Sequence, residues 1–567
     1  MNIWGHIFIC APFCLKTVEK KSFLLYSSIE NIECMKGANM KSNIIKYIFI
    51  AFAIFIIGFA IYKMNFASND NVEQAQTNTV ENKQDIESIL NIGIPNFDNI
   101  NPLITNNKDI ISLSTILYEP LLGISDDYEI ELKLAEEWSK KDSTTYLITL
   151  KDNLKWEDGS NVTGNDVKFT IEKLQEGQSV YSDNVKNIDS IEIIDGNTIR
   201  LNLKEEEPFF EYNLIFPIVS ESQFKEEDFF KSRLAPIATG MYKVASATEE
   251  EMELVQNENW YNSETVERTI DKIVIHFYDT MGDAYNSLKI GNIDMVCTSK
   301  SNVEDYVGTI GFVTQDYKGR ELDFISLNCE DTILKNVEVR QAINYAIDKN
   351  KINSSVFSNN YYVSSFPIDY GSFLYGKESA SSFDQEKAKE VLEDAGWEYR
   401  YGYWRKTEDY TTQYLNLNLI VDNSNETRVE VAELIEEQLE DIGINVYLYK
   451  VSNSAYKNYL ENKDYDMIIT GVNNGYSPDL SYFLGEDNIA NYQNEEITSL
   501  LKEVDDISDS TLLKEKYDRI IEIYEEEVPY ICLYRNRNKV IHGIRLTGEM
   551  TPNNYTTYYH FENWYRQ

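Results

Sequence analysis

The chain has 567 residues, 43% of them hydrophobic, and a formal net charge of −42. This length predicts about three or four domains or lobes. The hydrophobic content is enough to bury several cores, which argues against a disordered or polytopic membrane protein. The negative charge argues against nucleic acid as a partner, because binding it requires Lys and Arg to neutralise phosphates. That charge is compatible with cationic or zwitterionic ligands.

An apolar run near the N-terminus predicts a membrane anchor. Residues 44–62 carry a single charge, Lys46, and are long enough to cross a hydrocarbon core of ~30 Å as a helix. Lys36 and Lys41 precede the run, so the positive-inside rule places the N-terminus in the cytoplasm and the C-terminal part outside the cell. We expect an uncleaved, single-pass anchor in the cell membrane, because a signal peptide has a shorter apolar region and a small-residue cleavage site.

Two segments flank this run. Residues 1–43 are expected to be cytoplasmic or an upstream extension, since Met40 followed by Lys41 resembles a natural start. Residues 63–88 are rich in Asn, Gln, Asp and Glu, which predicts a flexible stalk between the anchor and the folded part.

Cysteine and histidine patterns predict neither disulfides nor a metal site. The cysteines beyond the stalk are odd in number and widely spaced, at Cys297, Cys329 and Cys532. No CxxC or HxxxH pattern, P-loop or GxSxG motif occurs, so we expect no catalytic residue, metal or cofactor. An extracellular enzyme such as a glycosidase or peptidase is therefore the least supported class.

The first half of the folded part predicts strands with alternating apolar residues, at 89–94, 146–150 and 191–203. The last of these is a hairpin that turns at Asp195, Gly196 and Asn197. Thr163 and Asp166 have the spacing of a capping box, which predicts a helix over about 164–174.

The second half predicts more helix. Apolar stripes at helical spacing occur within 339–349, 388–395 and 431–442. Asp384 is a candidate N-cap of the second stripe, and Gly396 and Gly443 are placed to end the second and third. A strand pattern follows at 444–449, and this helix–Gly–strand order predicts an α/β lobe with a central sheet.

Several short segments then carry a resemblance, in a fixed order. They lie at 101–103, 117–121, 134–138, 146–151, 154–159, 163–169, 239–243, 259–261, 288–295, 337–348, 383–397 and 428–446. The stretch from 134 to 169 is the most specific, with LAEEW, YLITLK, LKWEDG and TGNDVKF at the family's spacing. These segments resemble family 5 of the extracellular solute-binding proteins, the receptors of dipeptide, oligopeptide and nickel ABC importers.

The resemblance implies an α/β, two-lobed periplasmic-binding-protein-like fold of type II, with an extra inserted lobe. On that pattern, lobe I comprises residues 89–113, 237–323 and 530–567. The inserted lobe covers 114–236, and lobe II covers 324–529.

The resemblance also implies where the ligand binds. Family receptors hold the solute between the lobes, and one wall segment corresponds to residues 471–479. In peptide receptors an Asp of this segment pairs with the α-amino group of the ligand, but this chain has Asn473, Asn474 and Gly475 there. The ammonium anchor is therefore missing or moved. The implied ligand contacts are Asn473, Asn474, Tyr476, the displaced Asp479, and Glu119, where the family places an acidic residue that faces the cleft.

Each of these residues has a plainer interpretation. The Asn-Asn-Gly run is also typical of a turn. Glu119 has the plainer interpretation of a solvated loop carboxylate, and Tyr476 that of a ring that packs locally. Trp138, Trp156 and Arg340 match the family pattern too, and we interpret them as structural residues.

The function implied by the resemblance is that of a membrane-anchored extracellular substrate-binding protein. It would capture a peptide or similar small solute by lobe closure and deliver it to ABC permease subunits with their ATPases. The alternative is a solute or peptide sensor that has the same fold and feeds no transporter.

Overall fold

The computed structural model describes residues 88–300, 302–308 and 310–567. The predicted N-terminal segment at 1–43, the anchor at 44–62 and all but the last residue of the stalk at 63–88 lie outside the described residues. Among the helices that the structure describes, none has the length and apolarity that crossing a bilayer requires.

The described part contains 22 strands. They are β1 (Ile89–Pro95), β2 (Leu122–Ile124), β3 (Ile130–Leu132), β4 (Ala135–Asp142), β5 (Thr145–Leu150), β6 (Ile188–Ile193), β7 (Thr198–Leu203), β8 (Tyr242–Ala247), β9 (Glu251–Gln256), β10 (Lys272–Tyr278) and β11 (Met295–Thr298). The second half adds β12 (Phe312–Leu327), β13 (Tyr362–Val363), β14 (Glu398–Arg400), β15 (Tyr403–Glu408), β16 (Thr411–Tyr414), β17 (Asn416–Asp422), β18 (Asn445–Val451), β19 (Met467–Asn473), β20 (Tyr530–Gly543), β21 (Leu546–Gly548) and β22 (Trp564–Arg566).

The α-helices of the described part concentrate in its second half. They are α1 (Lys108–Ser114), α2 (Gly164–Leu174), α3 (Glu221–Phe224), α4 (Met281–Ile290), α5 (Glu304–Val307), α6 (Val337–Ala346), α7 (Lys349–Phe357), α8 (Gln385–Asp394), α9 (Glu426–Asp441), α10 (Asn453–Asn462), α11 (Ser481–Leu484), α12 (Glu495–Val504) and α13 (Ser510–Glu527).

One mixed sheet of 11 strands connects the two lobes. Its order is β18-β17-β19-β12-β20-β11-β1-β10-β9-β8, and β13 pairs with β20. We call the side from β11 to β8 the first lobe and the side from β19 to β18 the second lobe. The long antiparallel strands β12 and β20 run through both lobes, since β20 pairs with β11 at one end and β12 pairs with β19 at the other.

The pairing of β12 with β20 is interrupted in the middle. The register shifts between Lys318 and Leu322, where three residues of β12 face only Asn536 of β20. A Cβ at Gly319 would overlap the Asn536 side chain, so only glycine allows this approach. Such a bulge bends a strand and redirects its side chains. We call residues 319–321 the bulge, and it lies where the shared strands pass from one lobe to the other.

Separate hydrophobic clusters fill the molecule. One lies in the first lobe around β1, β10 and the C-terminal segment, and another lies in the second lobe around β17, α6 and α9. A third fills the four-stranded sheet β4-β5-β7-β6 with α2. A fourth joins residues between 124 and 215 to residues between 322 and 532. The domain boundaries implied by the resemblance stay a prediction.

The local elements predicted from sequence patterns are confirmed. Helix α2 starts at the predicted capping box, where Asp166 Oδ2 accepts a hydrogen bond from the Thr163 backbone N–H at 2.9 Å. Asp384 caps α8 by accepting from the Lys387 N–H at 2.9 Å. Gly443, with φ of 86°, follows α9 and allows the turn into β18.

Candidate ligand-binding cleft

A cavity of about 850 Å³ opens beside the bulge between the lobes. It is of the size that proteins use for small-molecule ligands. Its walls come from α1 and the residues around it, from the bulge, from the loop after β19, and from segments at 180–184, 212–217, 360–361 and 553–557. We call this cavity the cleft.

The chemistry of the cleft is that of amides and hydroxyls. The amide side chains on its walls are Asn106, Asn184, Asn213, Asn360, Asn473, Asn536, Asn538, Asn553 and Asn554. The tyrosines are Tyr118, Tyr181, Tyr212, Tyr317, Tyr361, Tyr476 and Tyr555. Amides both donate and accept hydrogen bonds, and tyrosine offers an apolar ring with a polar tip. Such a lining suits a ligand with peptide-like N–H and C=O groups.

The segment 471–479 brings two of the predicted contacts to the cleft. Strand β19 ends at Asn473, and Asn473, Gly475, Tyr476 and Ser477 line the cleft wall. Asn474 is not among the lining residues. Its Oδ1 accepts a hydrogen bond from Arg535 Nη1 at 3.1 Å, and its backbone N–H donates to Arg320 O at 3.1 Å. Asn474 therefore fastens the segment to the bulge.

Tyr476 is held from several sides. Its hydroxyl donates to the Asn554 carbonyl at 2.9 Å, and its ring meets Tyr555 edge-on with centroids 5.7 Å apart. The Arg320 guanidinium lies over the same ring, 4.0 Å from the centroid. Tyr476 thus connects the second lobe to the C-terminal segment and orients an arginine in the cleft.

The other two predicted contacts point elsewhere. Glu119 is 6% exposed and accepts a hydrogen bond from Trp260 Nε1 at 3.0 Å, while its neighbours Tyr118 and Pro120 line the cleft. Burial raises the pKa of the Glu119 carboxyl. Asp479 accepts from the Ser481 N–H and hydroxyl at 2.8 and 2.6 Å. Glu119 and Asp479 as ligand contacts stay predictions, as do Asn473, Asn474 and Tyr476.

Two charged residues of the cleft were not predicted from the sequence. Asp109 lies in the first turn of α1, which Asn107 caps by accepting from the Asp109 N–H at 2.9 Å. Burial raises the pKa of Asp109 to about 7, and the positive charge of Lys108 opposes this shift. Arg320 lies on the bulge. No motif marks either residue, and Asp109 is one of 94 acidic residues in the chain.

The part of the chain that the structure describes holds no group of three or more His, Cys, Asp or Glu side chains placed to bind a metal ion. Cys297, Cys329 and Cys532 are free thiols. Cys297 lies on the cleft wall, and burial raises its pKa well above the usual range, so the thiol stays protonated.

Comparison with known proteins agrees with this geometry. Residues 129–489 match the family described as bacterial extracellular solute-binding proteins, family 5 Middle. The oligopeptide-binding protein AppA of Bacillus subtilis is 24% identical over 479 residues, which cover 79% of this chain and 86% of the relative.

Solved structures show the same fold. The unliganded open form of the periplasmic murein tripeptide-binding protein MppA superposes with a TM-score of 0.72 at 18% identity, covering 85% of this chain and 98% of that one. A nickel ABC transporter protein from Bacillus halodurans gives 0.70 at 19% identity, covering 83% and 98%. Both support the two-lobed α/β fold. The chain therefore belongs to family 5 of the bacterial extracellular solute-binding proteins, and it is a solute-binding protein, not an enzyme.

Proposed function

We propose that this chain is the substrate-binding protein of an ABC importer that captures short peptides outside the cell. The observation that carries the proposal is the cleft, which is large, polar and walled by both lobes at the place where they share two strands. Residues 44–62 would hold the protein at the lipid bilayer, and the permease subunits with their ATPases would receive the peptide.

The lining supports a peptide over a purely apolar solute. A peptide presents an N–H and a C=O at nearly every residue, and each loses its hydrogen bonds to water on binding. Some of the amide and hydroxyl groups of the cleft bond within the chain, as Asn553 and Asn554 do. The Asn106 and Asn473 side chains have no hydrogen bond within the described residues and are suited to replace the bonds to water. The relatives AppA and MppA, whose names describe oligopeptide and murein tripeptide binding, support the same solute class.

Contacts across the molecule supply a mechanism of capture. Lys140 Nζ lies 2.6 Å from Asp505 Oδ2, and the Phe373 N–H donates to Asp127 O at 2.7 Å. These contacts join the part of the chain around β4 to helices and loops of the second lobe. They would break on opening and form again on closure. A ligand that contacts both walls then shifts the population towards the closed state.

Native mass spectrometry of the full chain, solubilised in detergent after expression in a bacterial host, tests this function. We expect heterogeneous additional mass that is lost on denaturation and is sequenced as short peptides. A single non-peptide adduct would contradict the peptide assignment. A bound peptide whose uptake by cells does not depend on the gene would instead favour the sensor.

A further inference from the structure

Five charged residues line the cleft. They are Lys108, Asp109, Arg320, Glu321 and Arg537. Water or an ion pair compensates three of these charges, and the other two have no such compensation. Lys108 and Glu321 are exposed, so water solvates them. Arg537 is neutralised by Asp316, whose Oδ2 lies 3.0 Å from its Nη1. Asp109 and Arg320 are half-buried. Within the described residues, neither has an ion pair, and no hydrogen bond reaches the Asp109 carboxylate or leaves the Arg320 guanidinium.

A half-buried charge without a partner is costly, because it gives up water and gains nothing in return. In a ligand site the missing partner is a ligand group of opposite charge. Asp109 thus fits an ammonium group, and Arg320 fits a carboxylate. Because one cavity holds both the Asp109 carboxylate and the Arg320 guanidinium, the cleft is complementary to a zwitterion.

The surroundings of Asp109 leave the ligand as its main source of positive charge. The titratable groups that face it are Lys108 on α1, Tyr285 on α4, Cys297 on β11, Tyr317 on β12 and Tyr558 in the C-terminal segment. Burial foremost, and then in part the charge of Asp109, raises the pKa of the thiol and the three phenols, so these four groups stay neutral. Lys108 is exposed and screened by water.

Arg320 is fixed beside the segment where family peptide receptors hold the ammonium group. The bulge aims its guanidinium over the Tyr476 ring, at 4.0 Å. The stack restricts the arginine, so less freedom is lost when a carboxylate binds. The charge held against Tyr476 is therefore positive, where the Asp of a peptide receptor would supply a negative charge in this segment.

We propose that the cleft binds a zwitterionic peptide in the reversed orientation, with its ammonium group at Asp109 and its carboxylate at Arg320. This deepens the proposed function and rests on it. The missing acid at Asn473, Asn474 and Gly475 then has a physical explanation, because that wall faces the carboxyl end of the ligand.

The test uses the full chain in detergent and three random tripeptide libraries. One library has free termini, one is N-acetylated and one is C-amidated, and retention on the immobilised protein is measured by mass spectrometry. The wild type should retain the free library at least tenfold better than either blocked library. Asp109→Asn should lose the discrimination against N-acetylation and keep that against C-amidation. Arg320→Gln should do the opposite.

Two matched controls separate this effect from a general change of charge. Asp189→Asn removes an exposed carboxylate on β6, and Arg400→Gln removes an arginine that also lies over a tyrosine, Tyr401, on an exposed hairpin. Both should retain all three libraries like the wild type. Thermal unfolding of every variant checks that it is folded.

The outcomes distinguish the two proposals. If the wild type retains no library, the peptide function fails and the orientation fails with it. If the wild type discriminates between libraries but Asp109→Asn and Arg320→Gln discriminate equally well, the function stands and the charged contacts are wrong. If removal of either charge instead strengthens retention of the free library, like charges face each other in the wild-type complex, and the peptide lies in the opposite direction.

Discussion

Two arginines on neighbouring strands differ in whether the chain supplies a partner for their charge. Arg535 and its partner Asp369 are each 1% exposed, with Nε 2.6 Å from Oδ1. Asp369 also accepts from the Ser364 hydroxyl at 2.9 Å and the Ser365 N–H at 2.7 Å, and Arg535 donates to Asn474. Arg320, by contrast, stacks on Tyr476 and meets no carboxylate in the described part of the chain.

This contrast separates a structural charge from a functional one. The chain itself satisfies the hydrogen-bonding groups of Arg535 and Asp369, so their loss should affect folding. The Arg320 guanidinium and the Asp109 carboxylate have no such partners within the described residues and are available to a ligand. Their loss should therefore affect binding and little else. The residue type alone does not make this distinction, whereas the ion pairs and hydrogen bonds of each side chain do.

The largest effect is expected from Arg535→Met. It leaves the Asp369 carboxylate buried and unpaired, which should lower the free energy of unfolding by about 3–5 kcal/mol. Urea denaturation at pH 7 measures this. In the wild type, burial opposes ionisation of Asp369, but Arg535 and the hydrogen bonds lower its pKa below 3.8. The stability from the pair is therefore present above pH 3.8 and is lost below it, so the deficit of the variant should shrink in acid.

The control for this variant is Arg320→Met, which should change the free energy of unfolding by less than about 0.5 kcal/mol. Equal losses in the two variants would remove the distinction between the two arginines.

A second effect concerns the pH dependence of binding. The pKa of Asp109 is about 7 in the free protein, and only the ionised form attracts an ammonium group. The affinity for a free tripeptide should therefore weaken by about tenfold for each pH unit below 7, and it should weaken again above about pH 8, where the α-amino group of the ligand loses its proton. Isothermal titration calorimetry at pH 7 in buffers of different ionisation enthalpy should also detect proton release on binding.

Asp109→Asn should bind the same tripeptide weakly and without this slope. If that variant kept the slope, another group would be responsible for it, and Asp109 would not be the ammonium contact.

The smallest effect tests what holds Arg320 in place. Tyr476→Phe removes the hydrogen bond to Asn554 O and keeps the ring under the guanidinium. The free energy of unfolding should fall by about 0.5–1.5 kcal/mol, as for a typical hydrogen bond, while discrimination against C-amidated peptides persists. Loss of that discrimination would show that the hydroxyl, and not the stacked ring, determines the carboxylate site.

Local patterns predicted much of the fold and less of the cleft. The capping box at Thr163 and the glycine after α9 depend on neighbours in sequence, so their elements could be predicted. The two-lobed architecture came from the resemblance. Residues that line the cleft come from parts of the chain as far apart as 106 and 557, and no pattern within one segment connects them.

The direction of individual side chains was the hardest to predict. Tyr118 and Pro120 line the cleft, whereas Glu119 between them accepts a hydrogen bond from Trp260. Arg320 reaches the cleft because Gly319 lets β12 bulge over Asn536, and that depends on a strand more than 200 residues away in sequence.

A crystal structure of the protein with the tripeptide most enriched from the free library tests the central claim most directly. We expect the ammonium nitrogen within about 3 Å of an Asp109 carboxylate oxygen and the terminal carboxylate beside the Arg320 guanidinium. An ammonium group bound at residues 473–477 and a carboxylate near α1 would contradict the reversed orientation, even though the peptide function would stand.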